Sequence, residues 1–258
     1  MRHPVSPLKK KHVDTRRNPP GYVPLVRALS KLGVASRTEA ARAIANEEVQ
    51  VNGKAVTKPD FLVIPEKSQI VFRGEPVQAS RTRVILFHKP RKVMTTRSDP
   101  EGRKTVYSFF ENELPGFHTV GRLDYNTSGL LLLTNDTNLS NRLTDPANQL
   151  PRCYLARVRG RVTASDTPLF ENGIMDKGEL LRASKVTLKK CSNRESTLFI
   201  ELISGKNREI RRLCKGLHHE VNKLKRISFG NFRLGDLAPG QFQDVAPEEL
   251  QHYLQPGW

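Results

Sequence analysis

Apolar residues recur at helical spacing just after Pro24. Leu25, Leu29 and Leu32 fall four and then three positions apart, which places their side chains on one face of a helix. Gly33 follows at once, and a glycine just past the last periodic residue is a typical helix end. The pattern therefore predicts a short helix that begins near Pro24 and ends at Gly33.

A second helix is predicted from the segment Ser-Arg-Thr-Glu at residues 36–39. This order matches a capping box, in which the serine hydroxyl and the glutamate carboxylate each accept a hydrogen bond from an N–H group of the first helical turn. We expect the helix to run to about Asn46, with Ala40, Ala43 and Ile44 facing inward.

The pattern then changes from helical spacing to alternation. Val49 and Val51 alternate with polar residues, which predicts a strand. The Asn-Gly pair at 52–53 is typical of a two-residue hairpin turn, and residues 55–56 are predicted to form the returning strand. A further strand is predicted at residues 69–73. Two helices and a small sheet together predict a compact domain at residues 22–81.

Strand-like runs dominate the second part of the chain, which a linker at residues 78–83 introduces. A polar turn at residues 192–195 separates two of these runs and predicts a hairpin. We expect an α+β fold, with a larger and mainly antiparallel domain at residues 82–250. The predicted strands are 84–87, 130–133, 154–158, 185–188, 198–202 and 224–229.

One amphipathic helix interrupts this series of strands. Ile210, Leu213, Cys214 and Leu217 share an apolar face, and the other face carries four basic residues, Arg208, Arg211, Arg212 and Lys215. Like charges three and four positions apart repel one another, so such a face favours an anionic partner. The alternative is an ordinary solvated helix surface.

Charge strengthens the first interpretation. The chain has 258 residues with 43 Lys and Arg against 26 Asp and Glu, a net charge of +17 and a pI near 10.1. Such an excess indicates a polyanionic partner, nucleic acid above all, although solvated surface charge is the alternative. Residues 1–21 hold six bases, one acid and four prolines, and they predict a disordered basic arm that either adds RNA affinity or is dispensable.

Other features narrow the protein class. No apolar run approaches the roughly 20 residues needed to cross a bilayer, and the basic N-terminus lacks the apolar segment of a secretory signal. The three cysteines are scattered without a CxxC pair, which predicts a reducing compartment and no structural zinc. We therefore expect a cytoplasmic protein without a membrane partner.

The segment GRLDYNTSG is the most specific motif for chemistry. Gly121 and Gly129 bracket a loop that holds Arg122 and Asp124, and an apolar strand follows directly. A carboxylate on a loop that leads into a rigid strand is well placed for catalysis. The alternative is an aspartate that caps its own turn.

Five segments together resemble the ribosomal pseudouridine synthases of the RsuA/RluB type. GRLDYNTSGLLLLTND resembles the signature motif of that family, and residues 22–80 resemble the RNA-binding domain first described in ribosomal protein S4. The other segments are HKPRKVMTTRSDPEGRKTV at 88–106, RCYLARVRG at 152–160 and SGKNREIRRL at 204–213. All occur in the order of the family.

The resemblance implies a reaction and a set of roles. The family converts a uridine within RNA to pseudouridine, and Asp124 matches its catalytic aspartate, which attacks the uracil ring, attacks the sugar or removes a sugar proton. Tyr154 matches the tyrosine that packs on the base, although an ordinary strand aromatic is the alternative. Arg211 matches the arginine that keeps the aspartate ionised, a role compatible with that of a phosphate clamp.

Further residues follow as RNA contacts. Arg122 resembles the arginine that fills the gap left by the flipped uridine, and Ile203 resembles a residue of the base pocket. The remaining expected RNA-binding residues are Lys206, Arg208, Arg212, Arg37 and Lys54. Because the isomerisation changes no oxidation state, no cofactor or metal is expected.

The resemblance also suggests a partner. The segment TTRSDPEGRKTV favours a stem–loop of 23S rRNA, within a pre-ribosomal particle, as the substrate of a monomeric enzyme; 16S rRNA is the alternative target. A non-catalytic rRNA-binding assembly factor of the same fold is a different class. A metal-dependent nuclease would need clustered carboxylates, which these motifs lack.

Overall fold

A computed structural model describes the greater part of the chain. The predicted basic arm lies outside the described residues, apart from Pro19 and Gly21. The chain divides into two compact units, residues 1–80 and 81–258. No helix of the described part is both long and apolar enough to cross a membrane. The described residues are 19, 21–65, 67–78, 81–110, 114 and 116–253.

The N-terminal unit contains the two predicted helices and the predicted hairpin. The first helix packs against the second, and the hydroxyl of Ser36 accepts a hydrogen bond from the N–H of Glu39 at 3.2 Å, as the capping signal indicates. The hairpin turns at Asn52 and Gly53, both with positive φ. The elements are β1 (Val23–Pro24), α1 (Leu25–Lys31), α2 (Arg37–Ala45), β2 (Val49–Val51), β3 (Lys54–Ala55), β4 (Leu62–Val63), β5 (Ile70–Phe72) and β6 (Glu75–Pro76).

These strands form a four-stranded antiparallel sheet in the order β3-β2-β5-β6, and β1 pairs separately with β4. The core of the unit lies between the helices and the sheet. It includes Leu25, Leu29, Ala40, Ala43 and Ile44, which are the inward positions that helical spacing predicts. The predicted helix–helix–hairpin arrangement is therefore present.

The C-terminal unit is built on one large mixed sheet. Short 3-10 turns occur at Val106–Phe109, Pro146–Asn148 and Ala164–Asp166. The elements are β7 (Val84–Lys89), β8 (His118–Val120), β9 (Thr127–Thr134), α3 (Thr137–Thr144), β10 (Arg152–Arg159), α4 (Thr167–Asn172), β11 (Ile174–Asp176), β12 (Glu179–Leu181), β13 (Lys185–Cys191), β14 (Glu195–Leu202), α5 (Glu209–Gly216), β15 (Val221–Phe229), β16 (Phe232–Arg233), β17 (Phe242–Asp244) and α6 (Pro247–Tyr253).

The nine-stranded sheet runs in the order β13-β14-β10-β15-β9-β7-β17, with β8 added to β9 and β16 added to β15. All of its pairs are antiparallel except β9 with β15. The predicted α+β class with a mainly antiparallel sheet is thus confirmed. The hairpin β11–β12 forms a separate two-stranded sheet beside α5.

Two buried clusters cover different parts of this sheet. The first packs α4 and α5 on one face, against side chains such as Tyr154, Ala156 and Val158 of β10. The second packs α3 and α6 against the opposite face of β7 and β9, with Leu130 and Leu132 at its centre. The site described below lies on the side of the first cluster.

Gly129 marks the point where β9 approaches β15. Its φ is +107°, and a Cβ atom there would lie 2.1 Å from the carbonyl oxygen of Arg226. No side chain fits so close to a backbone atom. The last glycine of the GRLDYNTSG segment is therefore required by the parallel pairing that joins the two halves of the sheet.

Candidate active site

A cavity of about 700 Å³ opens in the C-terminal unit beside the end of β8. The loop before β9, the start of β10, the loop before α5 and the end of β15 all contribute to its walls. The structure brings six of the predicted site residues to this cavity: Arg122, Asp124, Tyr154, Lys206, Arg208 and Arg211.

Asp124 lies on the loop between β8 and β9, with its side chain 34% exposed. The N–H of Thr127 donates to the main-chain carbonyl of Asp124 at 2.9 Å, which closes the turn through the backbone. The charged neighbour of the carboxylate is Arg211, whose Nε lies 3.8 Å from Oδ2. The carboxylate is thus accessible from the cavity and faces a guanidinium.

Arg211 extends from α5 and is held by main-chain groups. Its Nη1 donates to the carbonyl of Val221 at 3.1 Å, and its Nη2 donates to the carbonyl of Asn126 at 3.1 Å. Its Nε is buried, has no hydrogen-bond partner among the described residues and faces Asp124. Burial lowers the pKa of Arg211 and the Asp124 carboxylate opposes this, but an arginine remains charged in either case.

Lys89 at the end of β7 is a site residue that sequence reasoning missed. Its side chain is fully buried, and its Nζ donates to the carbonyls of Pro90 (3.0 Å), Asp124 (3.1 Å) and Thr127 (2.9 Å). Burial lowers the pKa of Lys89 to about 8, and the Asp124 charge opposes that shift. The sequence signal that could have identified it is its place at the end of an apolar strand, where a lysine is unusual.

Tyr154 lies on β10 between β14 and β15, opposite Ile200 and Arg226. Only 9% of its surface is exposed, and it belongs to the first buried cluster while also lining the cavity. The two interpretations of this tyrosine, core aromatic and cavity residue, therefore describe the same position.

Two further buried arginines make the cavity wall basic. The guanidinium carbons of Arg152 and Arg226 both lie over the Phe229 ring, 4.7 and 5.1 Å from its centroid. Arg152 donates to the carbonyl of Ser204 at 2.9 Å, and burial lowers its pKa. Arg226 donates to the carbonyl of Leu130 at 2.8 Å, and its buried Nη2 has no hydrogen-bond partner in the described ranges. Sequence reasoning assigned neither residue to the site.

The loop before α5 is fixed by a buried carboxylate. Ser204 Oγ lies 2.7 Å from both oxygens of Glu209, and the N–H of Lys206 donates to the same carboxylate at 3.2 Å. Glu209 is only 4% exposed. The ammonium of Lys206 donates to the carbonyl of Leu180 at 2.6 Å, so this lysine lines the cavity while it is tied to the β11–β12 hairpin.

The structure does not bring Arg212 to the cavity. Its guanidinium forms ion pairs with Asp176 at 2.5 Å and with Glu179 at 2.7 Å, both on the β11–β12 hairpin. Successive helical residues point about 100° apart, so Arg211 and Arg212 serve different neighbours. The basic residues at and after position 208 do not form the single patch that the sequence suggested. Arg211 faces Asp124 in the cavity, whereas Arg212 faces the carboxylates of the β11–β12 hairpin.

Three other predicted residues lie elsewhere. Leu202, not Ile203, lines the main cavity, because neighbouring residues at the end of a strand point to opposite sides. Ile203 lines a second depression of about 530 Å³. Arg37 at the start of α2 and Lys54 at the start of β3 are exposed in the N-terminal unit.

No metal-binding cluster is present among the described residues, in the sense of three or more His, Cys, Asp or Glu side chains that converge. The cavity lining instead combines one accessible carboxylate with the side chains of Arg122, Arg152, Arg208, Arg211 and Arg226. This arrangement suits a polyanionic ligand with one reactive position near Asp124.

Comparison with known proteins agrees with this chemistry. The family model described as RNA pseudouridylate synthase matches residues 83–215, and the S4 domain model matches residues 23–66. Ribosomal large subunit pseudouridine synthase B of Bacillus subtilis is 36% identical over 230 residues, which is 88% of this chain and 93% of that protein. An uncharacterized RNA pseudouridine synthase of Aquifex aeolicus is 35% identical over 223 residues, 86% of this chain and 90% of that protein.

A solved structure, described as a crystal structure of pseudouridylate synthase, superimposes with a TM-score of 0.61. It covers 90% of this chain and 100% of its own, at 24% sequence identity. At that level of identity the likeness shows a shared fold.

Proposed function

Because the chain belongs to the RNA pseudouridylate synthase family, we propose that it isomerises a uridine of ribosomal RNA to pseudouridine, with Asp124 as the catalytic carboxylate. The observation that carries this proposal is the pairing of Asp124 with Arg211 at 3.8 Å in a cavity with basic walls. The S4 domain supplies a second RNA-binding element.

The reaction needs no external reagent. The bond between N1 of uracil and C1′ of ribose breaks, the base rotates, a bond between C5 and C1′ forms, and the C5 proton leaves while N1 gains a proton. Asp124 assists by attack on the ring, by attack on C1′ or by removal of a sugar proton. In each case the positive charge of Arg211 lies beside the carboxylate, with its Nε 3.8 Å from Oδ2.

Other cavity residues have supporting roles in this proposal. Tyr154 packs against the uracil ring, and its place in the buried cluster gives it a fixed orientation. Arg122 is exposed at the cavity edge, where it fills the space left in the stack by the flipped uridine. Lys206 and Arg208 line the same cavity and contact phosphates.

The proposed target is a stem–loop of the large-subunit rRNA, because the Bacillus subtilis relative is named for the large subunit. Arg37 and Lys54 in the N-terminal unit contact the same RNA in this proposal, within a pre-ribosomal particle in the cytoplasm. We expect the enzyme to act as a monomer.

The test is Asp124→Asn, with Asp236→Asn at an exposed loop position as the matched control. Pseudouridines are mapped in rRNA from cells that lack the gene, and from the same cells after the wild type or either variant is supplied. We expect one large-subunit uridine to remain unmodified without the gene and with Asp124→Asn, while purified Asp124→Asn still binds the RNA. Full modification by this variant would contradict the role of Asp124, and an unchanged map without the gene would favour a non-catalytic assembly factor.

A further inference from the structure

Within the described part of the C-terminal unit, neither buried cluster covers one face of the strands β10, β13 and β14. The first buried cluster packs on the opposite face of these strands, and the second cluster takes no residue from them. Within the described residues, Leu155 and Phe199 belong to neither cluster and are half-buried. We call this surface, with the adjacent part of β15, the open face.

An apolar row crosses the open face. Phe199 of β14 lies opposite Leu155 of β10, which lies opposite Lys225 of β15. Side chains of directly opposite residues in antiparallel strands point to the same side of the sheet. Phe199 and Leu155 therefore present a continuous apolar strip, and the Nζ of Lys189 lies 5.7 Å from the Phe199 ring centroid.

A basic row runs beside the apolar row, two positions away along β10, β14 and β15 and three positions away along β13, where the pairing is irregular. Lys190 of β13 lies opposite Thr197, Thr197 lies opposite Arg157, and Arg157 lies opposite Lys223. Two residues along a strand correspond to about 7 Å. The three basic side chains of this row are all exposed.

The basic row includes a like-charge pair that the fold does not need. Arg157 and Lys223 lie directly opposite each other, an arrangement that lowers sheet stability. Arg157 also pairs with Glu195 at 3.2 Å, but both side chains are more than 40% exposed, so this contact adds little. A partner that brings negative charge would remove the repulsion.

We propose that the open face binds a single-stranded segment of RNA outside the target stem–loop, with phosphates on the basic row and a base stacked on Phe199. Antiparallel sheets with exposed aromatic and basic side chains bind single strands in this way, because unpaired bases expose their faces for stacking. A duplex hides those faces. The proposal rests on the proposed function only in taking RNA as the substrate.

The test compares Arg157→Gln/Lys223→Gln with Arg81→Gln/Lys177→Gln, which removes two exposed charges away from both rows. Binding of a fluorescent single-stranded 12-nucleotide oligoadenylate is measured across a salt series. We expect the open-face variant to bind about fivefold more weakly, with a salt slope shallower by about 1.4, and the control to change far less. The open-face variant should melt at the same or a higher temperature, because the repulsive pair is gone.

Phe199→Ala separates stacking from charge. We expect it to weaken oligoadenylate binding at least about fivefold without changing the salt slope. Ultraviolet cross-linking of a strand that contains 5-bromouridine should label the peptide at residues 195–202. The proposal would be overturned if Arg157→Gln/Lys223→Gln bound as tightly as its control variant, or if Phe199→Ala bound as tightly as the wild type. Cross-link labels confined to the cavity loops would also overturn it.

Pseudouridine formation in a short stem–loop should stay unchanged in these variants, so that failure of the open-face proposal remains distinct from failure of the proposed function. Loss of a dimer in Phe199→Ala, measured by sedimentation, would identify the open face as a protein interface instead and overturn the proposal.

Discussion

The Nε of Arg211 lies 3.8 Å from Oδ2 of Asp124 and, within the part of the chain that the structure describes, has no hydrogen-bond partner although it is buried. The other nitrogens of this guanidinium are held by the carbonyls of Val221 and Asn126. Arg211 therefore holds a positive charge at a fixed place beside the Asp124 carboxylate, and the carboxylate oxygens remain accessible from the cavity.

This geometry predicts that charge alone does not replace Arg211. Lysine retains the charge of arginine but lacks the planar fork that reaches two carbonyls at once. We expect Arg211→Lys to lower the single-turnover rate of pseudouridine formation about 100-fold at saturating RNA, with a smaller change in RNA affinity. A matched variant at an exposed site, Arg81→Lys, should retain full activity. An unchanged rate in Arg211→Lys would show that the charge alone is sufficient and that the fixed geometry of the guanidinium is not needed.

Two basic residues near the start of α5 should behave differently. Arg208 is exposed and lines the cavity, so Arg208→Gln should weaken RNA binding and make the salt slope shallower by about 0.7–0.9. Arg212 holds the β11–β12 hairpin, so Arg212→Gln should lower the melting temperature by about 2–4 °C. Its RNA affinity should remain close to that of the wild type. The opposite pattern in salt titrations and thermal melts would contradict this assignment.

Buried Lys89 predicts a pH dependence of stability. Its folded pKa of about 8 is below the usual value of 10.5. Below pH 8 Lys89 is protonated in both the folded and the unfolded chain, so burial of its charge opposes folding in full. Between pH 8 and pH 10.5 the unfolded chain binds more protons than the folded one, so the unfolding free energy increases with pH.

We expect the unfolding free energy of the wild type, minus that of Lys89→Met, to increase by up to about 1.4 kcal/mol per pH unit above pH 8. Denaturant titrations at pH 7.5, 8.5 and 9.5 measure it. Exposed Lys177→Met should show a constant difference from the wild type, and a constant difference in Lys89→Met would mean that its pKa is not shifted.

Glycine at position 129 should be indispensable for folding. A Cβ there would meet the carbonyl of Arg226 at 2.1 Å, whereas a Cβ at Gly178, also with positive φ, would meet nothing within 4 Å. Gly178→Ala should cost about 1 kcal/mol from backbone conformation alone. Gly129→Ala should cost more than about 4 kcal/mol or prevent folding, as thermal melts and soluble yield would show. Similar losses in the two variants would contradict the close approach.

Elements with strong local signals were predictable from the sequence. The capping serine at position 36 and the Asn-Gly turn at 52–53 each fixed an element in the N-terminal unit, and the apolar face of Ile210 and Leu213 identified α5. The C-terminal elements β17 and α6 were not predicted, because they are short and are stabilised by packing on β7 and on the second cluster.

Contacts between distant segments were not predictable from periodicity. The burial of Lys89 depends on carbonyls more than 30 positions away, and the pairing of Arg212 depends on a hairpin that shows no clear alternation. Asp124 was found through its motif, whereas Arg152 and Arg226 came to the cavity through strand order, which no local pattern encodes.

The position of β15 in the sheet also sets an order of assembly during synthesis. This strand lies between β10 and β9, although it is made long after both of them. The strand that carries Tyr154 and the strand that follows Asp124 therefore cannot join one sheet until residues 221–229 have left the ribosome. A nascent chain that ends before residue 221 has no complete cavity, so the enzyme becomes active only after β15 has been made.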